Sequence, residues 1–235
     1  MIEFERVLQQ GRAAQRHFQD LGLVAVGGTA VAAHCGHRNS LDVDLVTPHL
    51  RDRYEEIAAR LENWEGWTTA RLNRPVLILG RRGGVDLGLR QRRRAEPLRT
   101  VELHGLLVPT GAEMLRVKAF LLAERRATRD YVDVAAMARL LGDTAALKAL
   151  GYLNLVYPAT GSQSAVCRFA EACEAQPLDP VETPLDAYKG LKAPFTDWAY
   201  VAETCRRLAR PLAKLELNNS LPQALDEGFY QDSNR

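Results

Sequence analysis

Four cysteines, Cys35, Cys167, Cys173 and Cys205, are all that this 235-residue chain contains, and none lies in a C-x-x-C pair or at zinc-finger spacing from a histidine. A disulfide framework and a structural zinc site are therefore not expected, and the four read as buried apolar fillers in a reducing cytosol. Long apolar runs are also missing. The stretch near the front that is free of Asp, Glu, Lys and Arg, Leu21 to His37, is interrupted by Gly27-Gly28 and falls short of the roughly 20 residues a membrane helix needs. The opening Met-Ile-Glu-Phe-Glu-Arg has acids where a secretory signal has bases, and no apolar segment follows it. A cytoplasmic protein with no membrane partner is expected. There is no Walker A loop, no G-x-S-x-G elbow and no Ser-His-Asp order, and neither a repeat nor a low-complexity segment is found.

What is present is an ordinary globular composition, 46% hydrophobic and 26% charged, long enough for one large or two small domains. Residues 2–20 have the apolar spacing of a helix, and Leu23 to Val26 is a short buried strand stopped by Gly27-Gly28. An Ala-rich helix over 29–37 comes next, followed by a strictly alternating strand, Leu41 to Val46, whose Leu41, Val43 and Leu45 are assigned to the core. A helix over 50–65 precedes β-like runs at 68–72, 76–79 and 85–89. Gly83-Gly84 marks a hairpin between the last two. Val101 to Val108 reads as one further strand. From Thr110 onward the pattern is helical, with helices over 111–126, 129–141, 143–150, 163–175 and 195–216. Pro177, Pro180, Pro184 and Pro194 punctuate a loop-rich passage between the last two. The domains read as an α/β core over 1–109 and a helical domain over 110–235.

The acids on the strands carry the chemistry. Residues i and i+2 of a strand share a face, so Asp42 and Asp44 project together. Paired carboxylates on a rigid strand can hold the hard cations that phosphoryl and nucleotidyl transfer requires. Alone the pair is weak, since about 0.7 D-x-D triplets are expected by chance in such a chain. Asp86 strengthens it, being an acid on the polar face of the apolar strand of Val85, Leu87 and Leu89. A cation between the three acids would offset their repulsion. The competing reading of Asp86 is an ion pair with a neighbouring arginine.

Upstream, Gly27-Gly28-Thr29 follows a strand and opens a helix. There glycine backbone, free N–H groups and the Thr29 hydroxyl can cradle phosphate. Residues 81–99 hold seven arginines against Asp86 and Glu96, a local charge of +5 in a chain of net +2. Such a patch is a footprint for a phosphate-rich partner or, equally, a solvated hairpin rim. Lys118, Arg125 and Arg129 would form a basic stripe on one continuous helix. Asp130 and Asp133 lie four residues beyond Arg126 and Arg129, the spacing of ordinary surface pairs. His34 and His37 lack a third ligand and read as packed or solvated. Trp64, Trp67 and Trp198 read as core or interface aromatics.

Taken together, Gly27-Gly28-Thr29-Ala30, Arg38-x-Ser40-x-Asp42-x-Asp44 and Asp86 resemble the nucleotidyltransferase signature of the DNA polymerase β superfamily. With Lys118-x6-Arg125-x3-Arg129-Asp130-x2-Asp133, the chain is similar to AbiEii-type nucleotidyltransferases, toxins of bacterial toxin–antitoxin and abortive-infection systems. The likeness spans residues of about 24–140. It implies an α+β fold, a polymerase β-like core with a mixed sheet and flanking helices followed by a C-terminal helical lobe that completes the nucleotide pocket. It further implies that Asp42, Asp44 and Asp86 bind Mg²⁺ or Mn²⁺, with Asp86 also helping to deprotonate the acceptor. Gly27, Gly28, Thr29 and Ser40 would line the triphosphate of the NTP substrate. Lys118 would hold phosphate, and Arg125, Arg129, Asp130 and Asp133 would shape the nucleotide pocket. The implied partners are an RNA acceptor, the 3′ end of tRNA, and a cognate antitoxin. The alternatives are a small-molecule nucleotidyltransferase of the antibiotic-modifying kind and a non-catalytic member that binds nucleotide or a partner.

Overall fold

A computed structural model describes residues 2–157, 159–179 and 184–230. The chain divides into two compact units. The first comprises Met1–Ala33, Asn39–Ala95 and Thr100–Pro109; the second comprises His34–Arg38, Glu96–Arg99 and Thr110–Arg235. The fold class is α+β, with a five-stranded mixed sheet and many helices. Among the described residues no helix is long and apolar enough to cross a membrane.

In chain order the first unit begins with α1 (Ile2–His17), β1 (Val24–Val26) and α2 (Gly27–Cys35), whose last residues group with the second unit. Then come β2 (Asp42–Thr47), α3 (Tyr54–Glu62), β3 (Trp67–Asn73), β4 (Leu77–Arg82), β5 (Val85–Gln91), β6 (Thr100–Leu103) and β7 (Leu106–Pro109). The sheet order is β1-β2-β5-β4-β3. Only the β2–β5 pairing is parallel. This central pair is driven by its apolar row: Val43 lies opposite Leu87 and Leu45 opposite Leu89, and all four are buried. Burying four such side chains contributes on the order of 1.5–3 kcal/mol each.

Gly83 and Gly84, both at positive φ, close the β4–β5 hairpin as their spacing predicts, because a tight hairpin turn needs two left-handed residues. α1 packs on β7 so closely that a Cβ on Gly11 would stand 2.9 Å from a Leu106 methyl. The Gln15 amide both donates to and accepts from the Leu107 backbone, which satisfies part of that strand's edge.

Two expectations are corrected in this unit. Residues 101–108 are not one strand but the hairpin β6–β7, turning at His104 and Gly105, both at positive φ. Leu41 is not core: it precedes β2 and is exposed.

The second unit is helical: α4 (Gly111–Arg125), α5 (Thr128–Leu141), α6 (Asp143–Gly151), α7 (Leu153–Val156), α8 (Ala165–Glu174), α9 (Trp198–Leu217) and α10 (Glu227–Tyr230). α4 packs on α5, α6 and α8, and α9 covers α5, α6 and α8. Side-chain caps start the two outer helices, with Ser164 accepting from the Cys167 backbone N–H and Asp197 from that of Ala199, each a contribution of about 1 kcal/mol. In the proline-rich passage, Pro177 lies beyond the end of α8 and Pro184 caps a short 3-10 turn over Leu185–Ala187. Pro180 lies outside the described residues. All four cysteines are free, yet only Cys173 and Cys205 are fully buried, so Cys35 and Cys167 are not the interior fillers expected.

Candidate active site

In the first unit the parallel register sets Asp42 directly opposite Asp86 and Asp44 opposite Gly88. Paired residues of neighbouring strands point to the same face, so all three carboxylates emerge on the face opposite the apolar row. The same register continues into β4, where Arg81 faces Asp86, and its Nε lies 3.0 Å from Asp86 Oδ1 as an ion pair. Two residues along, Arg90 Nε donates to Asp44 Oδ1 at 2.8 Å. Gly88 makes that second contact possible, because a Cβ there would stand 2.8 Å from Asp44 Oδ1. The ion-pair reading of Asp86 thus holds in the structure. Among the described residues no three His, Cys, Asp or Glu side chains are gathered as a ready metal site.

Asp42 is held differently. It is exposed and has no ion-pair partner among the described residues. Ser40 Oγ donates to its Oδ1 at 3.1 Å. The Thr29 hydroxyl donates to its backbone carbonyl. This corrects two expected roles: Thr29 and Ser40, exposed by 1% and 2%, spend their hydroxyls on the start of β2 and do not present free donors to a phosphate.

Gly27 opens α2 immediately after β1 with φ +72°, and a Cβ there would lie 3.1 Å from Asp44 Oδ2. A side chain at this position would be both strained and pressed against the carboxylate. The glycines therefore bring an unobstructed helix N-terminus to the acidic face, where N–H groups not used within the helix can meet an anion; Gly28 is half-buried.

The arginines of the 81–99 segment are held in different ways. Arg81 and Arg90 pair with acids, and Arg82 donates to the Glu65 carbonyl and Gln10. Arg92 closes a loop onto the Arg94 and Ala95 carbonyls, and Arg94 is buried. Arg93 is exposed.

In the second unit the structure gathers buried Lys118, Asp130 and Asp133 into one charge cluster, with exposed Arg125 at its edge. Lys118 Nζ lies 2.7 Å from Asp133 Oδ2 and 3.1 Å from Asp130 Oδ1. Arg125 contacts both oxygens of Asp130. Asp133 also takes both Nε and Nη2 of Arg38 at 3.0 Å and His37 Nε2 at 2.9 Å. His37 Nδ1 is buried without a hydrogen-bond partner among the described residues.

Burial pushes the Asp133 carboxyl up, but the opposing pull of Arg38, Lys118 and His37 is stronger and holds it well below the usual carboxylate range. Asp130 is likewise raised by burial and lowered further by Lys118 and Arg125. Cys35 is half-buried, and that partial desolvation, reinforced by the Asp133 charge, pushes its thiol up to about 12.

The cluster replaces the two sequence-based pictures of this segment. Arg126, with φ 45°, ends α4, and α5 begins only at Thr128, so no continuous helix carries a Lys118–Arg125–Arg129 stripe. Asp130 and Asp133 are not in surface i,i+4 pairs, since both are fully buried with other partners. Lys118 is 1% exposed and its ammonium is engaged by two carboxylates. Arg129 is exposed. His37 and Arg38 are the residues that the sequence reading missed or left without a role. The local signal was a histidine–arginine pair directly after an apolar helix, but nothing local identifies a partner 96 residues away.

No protein-family model matches the chain, and no curated protein matches it. Solved structures do. MenT4, a nucleotidyltransferase toxin from Mycobacterium tuberculosis H37Rv, is 16% identical over 95% of this chain and 91% of its own, at a TM-score of 0.48. ANT(2")-Ia in complex with adenylyl-2"-tobramycin is 17% identical over 62% of this chain and 94% of its own, at 0.45. JHP933 from Helicobacter pylori is 13% identical over 93% of this chain and 94% of its own, at 0.50. At that identity the likeness is one of architecture: over 93% of its length the chain shares the fold of JHP933.

Proposed function

We propose that the chain is a magnesium-dependent nucleotidyltransferase that transfers a nucleoside monophosphate from an NTP to an acceptor hydroxyl and releases pyrophosphate. The observation that carries this reading is the register of Asp42 opposite Asp86 with Asp44 on the same face, Asp42 having no basic partner among the described residues. The donor chemistry suits a hard divalent cation, although the three carboxylates are not gathered around a common point while Arg81 and Arg90 hold two of them. Three carboxylates on adjacent rigid strands supply the oxygen donors that Mg²⁺ or Mn²⁺ prefers. The two arginines on them form partly exposed pairs, a class worth about 0.2–1 kcal/mol each, so opening them costs little.

Asp42, Asp44 and Asp86 would hold the metal, which when bound supplies charge stabilisation to the phosphoryl oxygens during in-line displacement. Backbone N–H groups at Gly27 and Gly28 receive the triphosphate. Ser40 and Thr29 keep Asp42 oriented through its carboxylate and carbonyl. A carboxylate oxygen of Asp86 accepts the proton leaving the acceptor hydroxyl, which makes the oxygen nucleophilic as the bond to the α-phosphorus forms and the bond to the pyrophosphate oxygen breaks.

The finer assignment, an AbiEii-type toxin acting on RNA at the tRNA 3′ end and restrained by a cognate antitoxin, rests on the resemblance of residues 24–140. The direct test incubates the protein with each labelled NTP, Mg²⁺ and total RNA. Wild type is expected to label RNA, and Asp42→Asn or Asp44→Asn to lose transfer; Asp42→Asn, which breaks no ion pair, should also melt, without metal, no lower than wild type, because one acid's repulsion is relieved. Activity of either variant within a few-fold of wild type would remove this site from the mechanism. Labelling of an aminoglycoside but not RNA would redirect the acceptor to small molecules.

A further inference from the structure

We propose that Arg81 and Arg90 are placeholder cations: they occupy the carboxylates of the site when no divalent ion is there and are displaced when one binds. The proposal rests on the metal-dependent reading above and adds a role for two residues which that reading leaves unused. Both guanidinium groups sit where a ligand cation would compete with them, Arg90 on Asp44 Oδ1 at 2.8 Å and Arg81 on Asp86 Oδ1 at 3.0 Å. Neither is built in: their side chains are 43% and 63% exposed, and each reaches its acid through Nε rather than locking it between two donors. The contrast with Arg38, which grips both oxygens of buried Asp133, shows what a permanent guanidinium–carboxylate pair looks like in this chain.

The arrangement has a physical purpose. Three like charges on one face repel one another by an amount set by local dielectric and distance. Two mobile cations lower that repulsion in the metal-free protein without filling the space between the acids. Gly88, with no side chain, leaves room for Arg90 to swing in and out.

Sign decides the test. If the arginines are placeholders, removing one removes a competitor, and the site binds the divalent ion more tightly. If they instead orient the carboxylates for metal, removing one weakens binding. Mn²⁺ affinity is read from the loss of the free-ion electron paramagnetic resonance signal, with no nucleotide present, for wild type, Arg81→Gln, Arg90→Gln and the double variant. Each single variant is expected to bind Mn²⁺ about two- to fivefold more tightly, as loss of a competing surface pair predicts, and the double variant more tightly still. Asp42→Asn should weaken binding in every background.

Wild type binding Mn²⁺ with the arginine variants equal or weaker overturns the placeholder role and leaves the metal site standing. Binding seen only once the arginines are removed supports it. No binding by wild type or the double variant overturns the metal reading and the placeholder role together.

Discussion

The same chemical pair, a carboxylate with a guanidinium group, is used in two opposite ways in this molecule. On the first unit's sheet, Asp44 and Asp86 hold Arg90 and Arg81 through single nitrogens at the surface. In the second unit, Asp133 is fully buried and held by Arg38, Lys118 and His37 at once. Water decides the difference. At the surface, solvent competes for each charge and the pair is exchangeable. In the interior each charge has been stripped of water, so every partner becomes obligatory. The exposed set is suited to trading one cation for another, the buried set to fixing residues 34–38 against α4 and α5.

The contrast is sharpest at Asp133. Asp133→Ala leaves Arg38 and Lys118 buried without their shared counter-charge and is expected to cost about 3–5 kcal/mol, read from urea unfolding. A loss under 1 kcal/mol would mean that water reaches the cluster and that the two regions do not differ as described.

Acid should separate them next. Asp130 and Asp133 have folded pKa values below their unfolded ones, so the folded state favours their ionised form. Their contribution is complete above the unfolded carboxylate value of about 4 and is lost as pH falls below it, because the unfolded chain takes up protons first. Unfolding measured from pH 7 down to pH 3 should steepen at its acid end in wild type, and Asp133→Asn should flatten that slope. An unchanged slope would assign acid lability elsewhere.

The smallest effect belongs to the exposed pair. Arg81→Gln is expected to shift stability by less than about 1 kcal/mol, and a larger loss in the same unfolding assay would make Arg81 structural and weaken its role as a displaceable cation.

Much of this could be read locally. The alternation of Asp42 to Leu45 and of Val85 to Leu89 fixes which side chains face the core, because a strand has a period of two whatever it pairs with. Gly83-Gly84 marks its own turn through φ alone. The β6–β7 turn has a local signal too, Gly105 between two short apolar stretches. Other features could not be read this way. Lys118, Arg125 and Arg129 fit one helical face only while the helix continues, and the left-handed turn at Arg126, a non-glycine residue, carries no compositional warning.

By itself, then, the order of residues determined the polar face with its three acids and the glycine-started helix beside it, since those depend on periodicity and backbone freedom within a few residues. Tertiary structure alone decided which charges are paired and which are buried. Arg81 and Arg90 meet Asp86 and Asp44 through strand register, and His37 and Arg38 reach Asp133 across more than ninety residues. Pairing of charges is settled by through-space distance and by the exclusion of water, and neither quantity is written in sequence spacing.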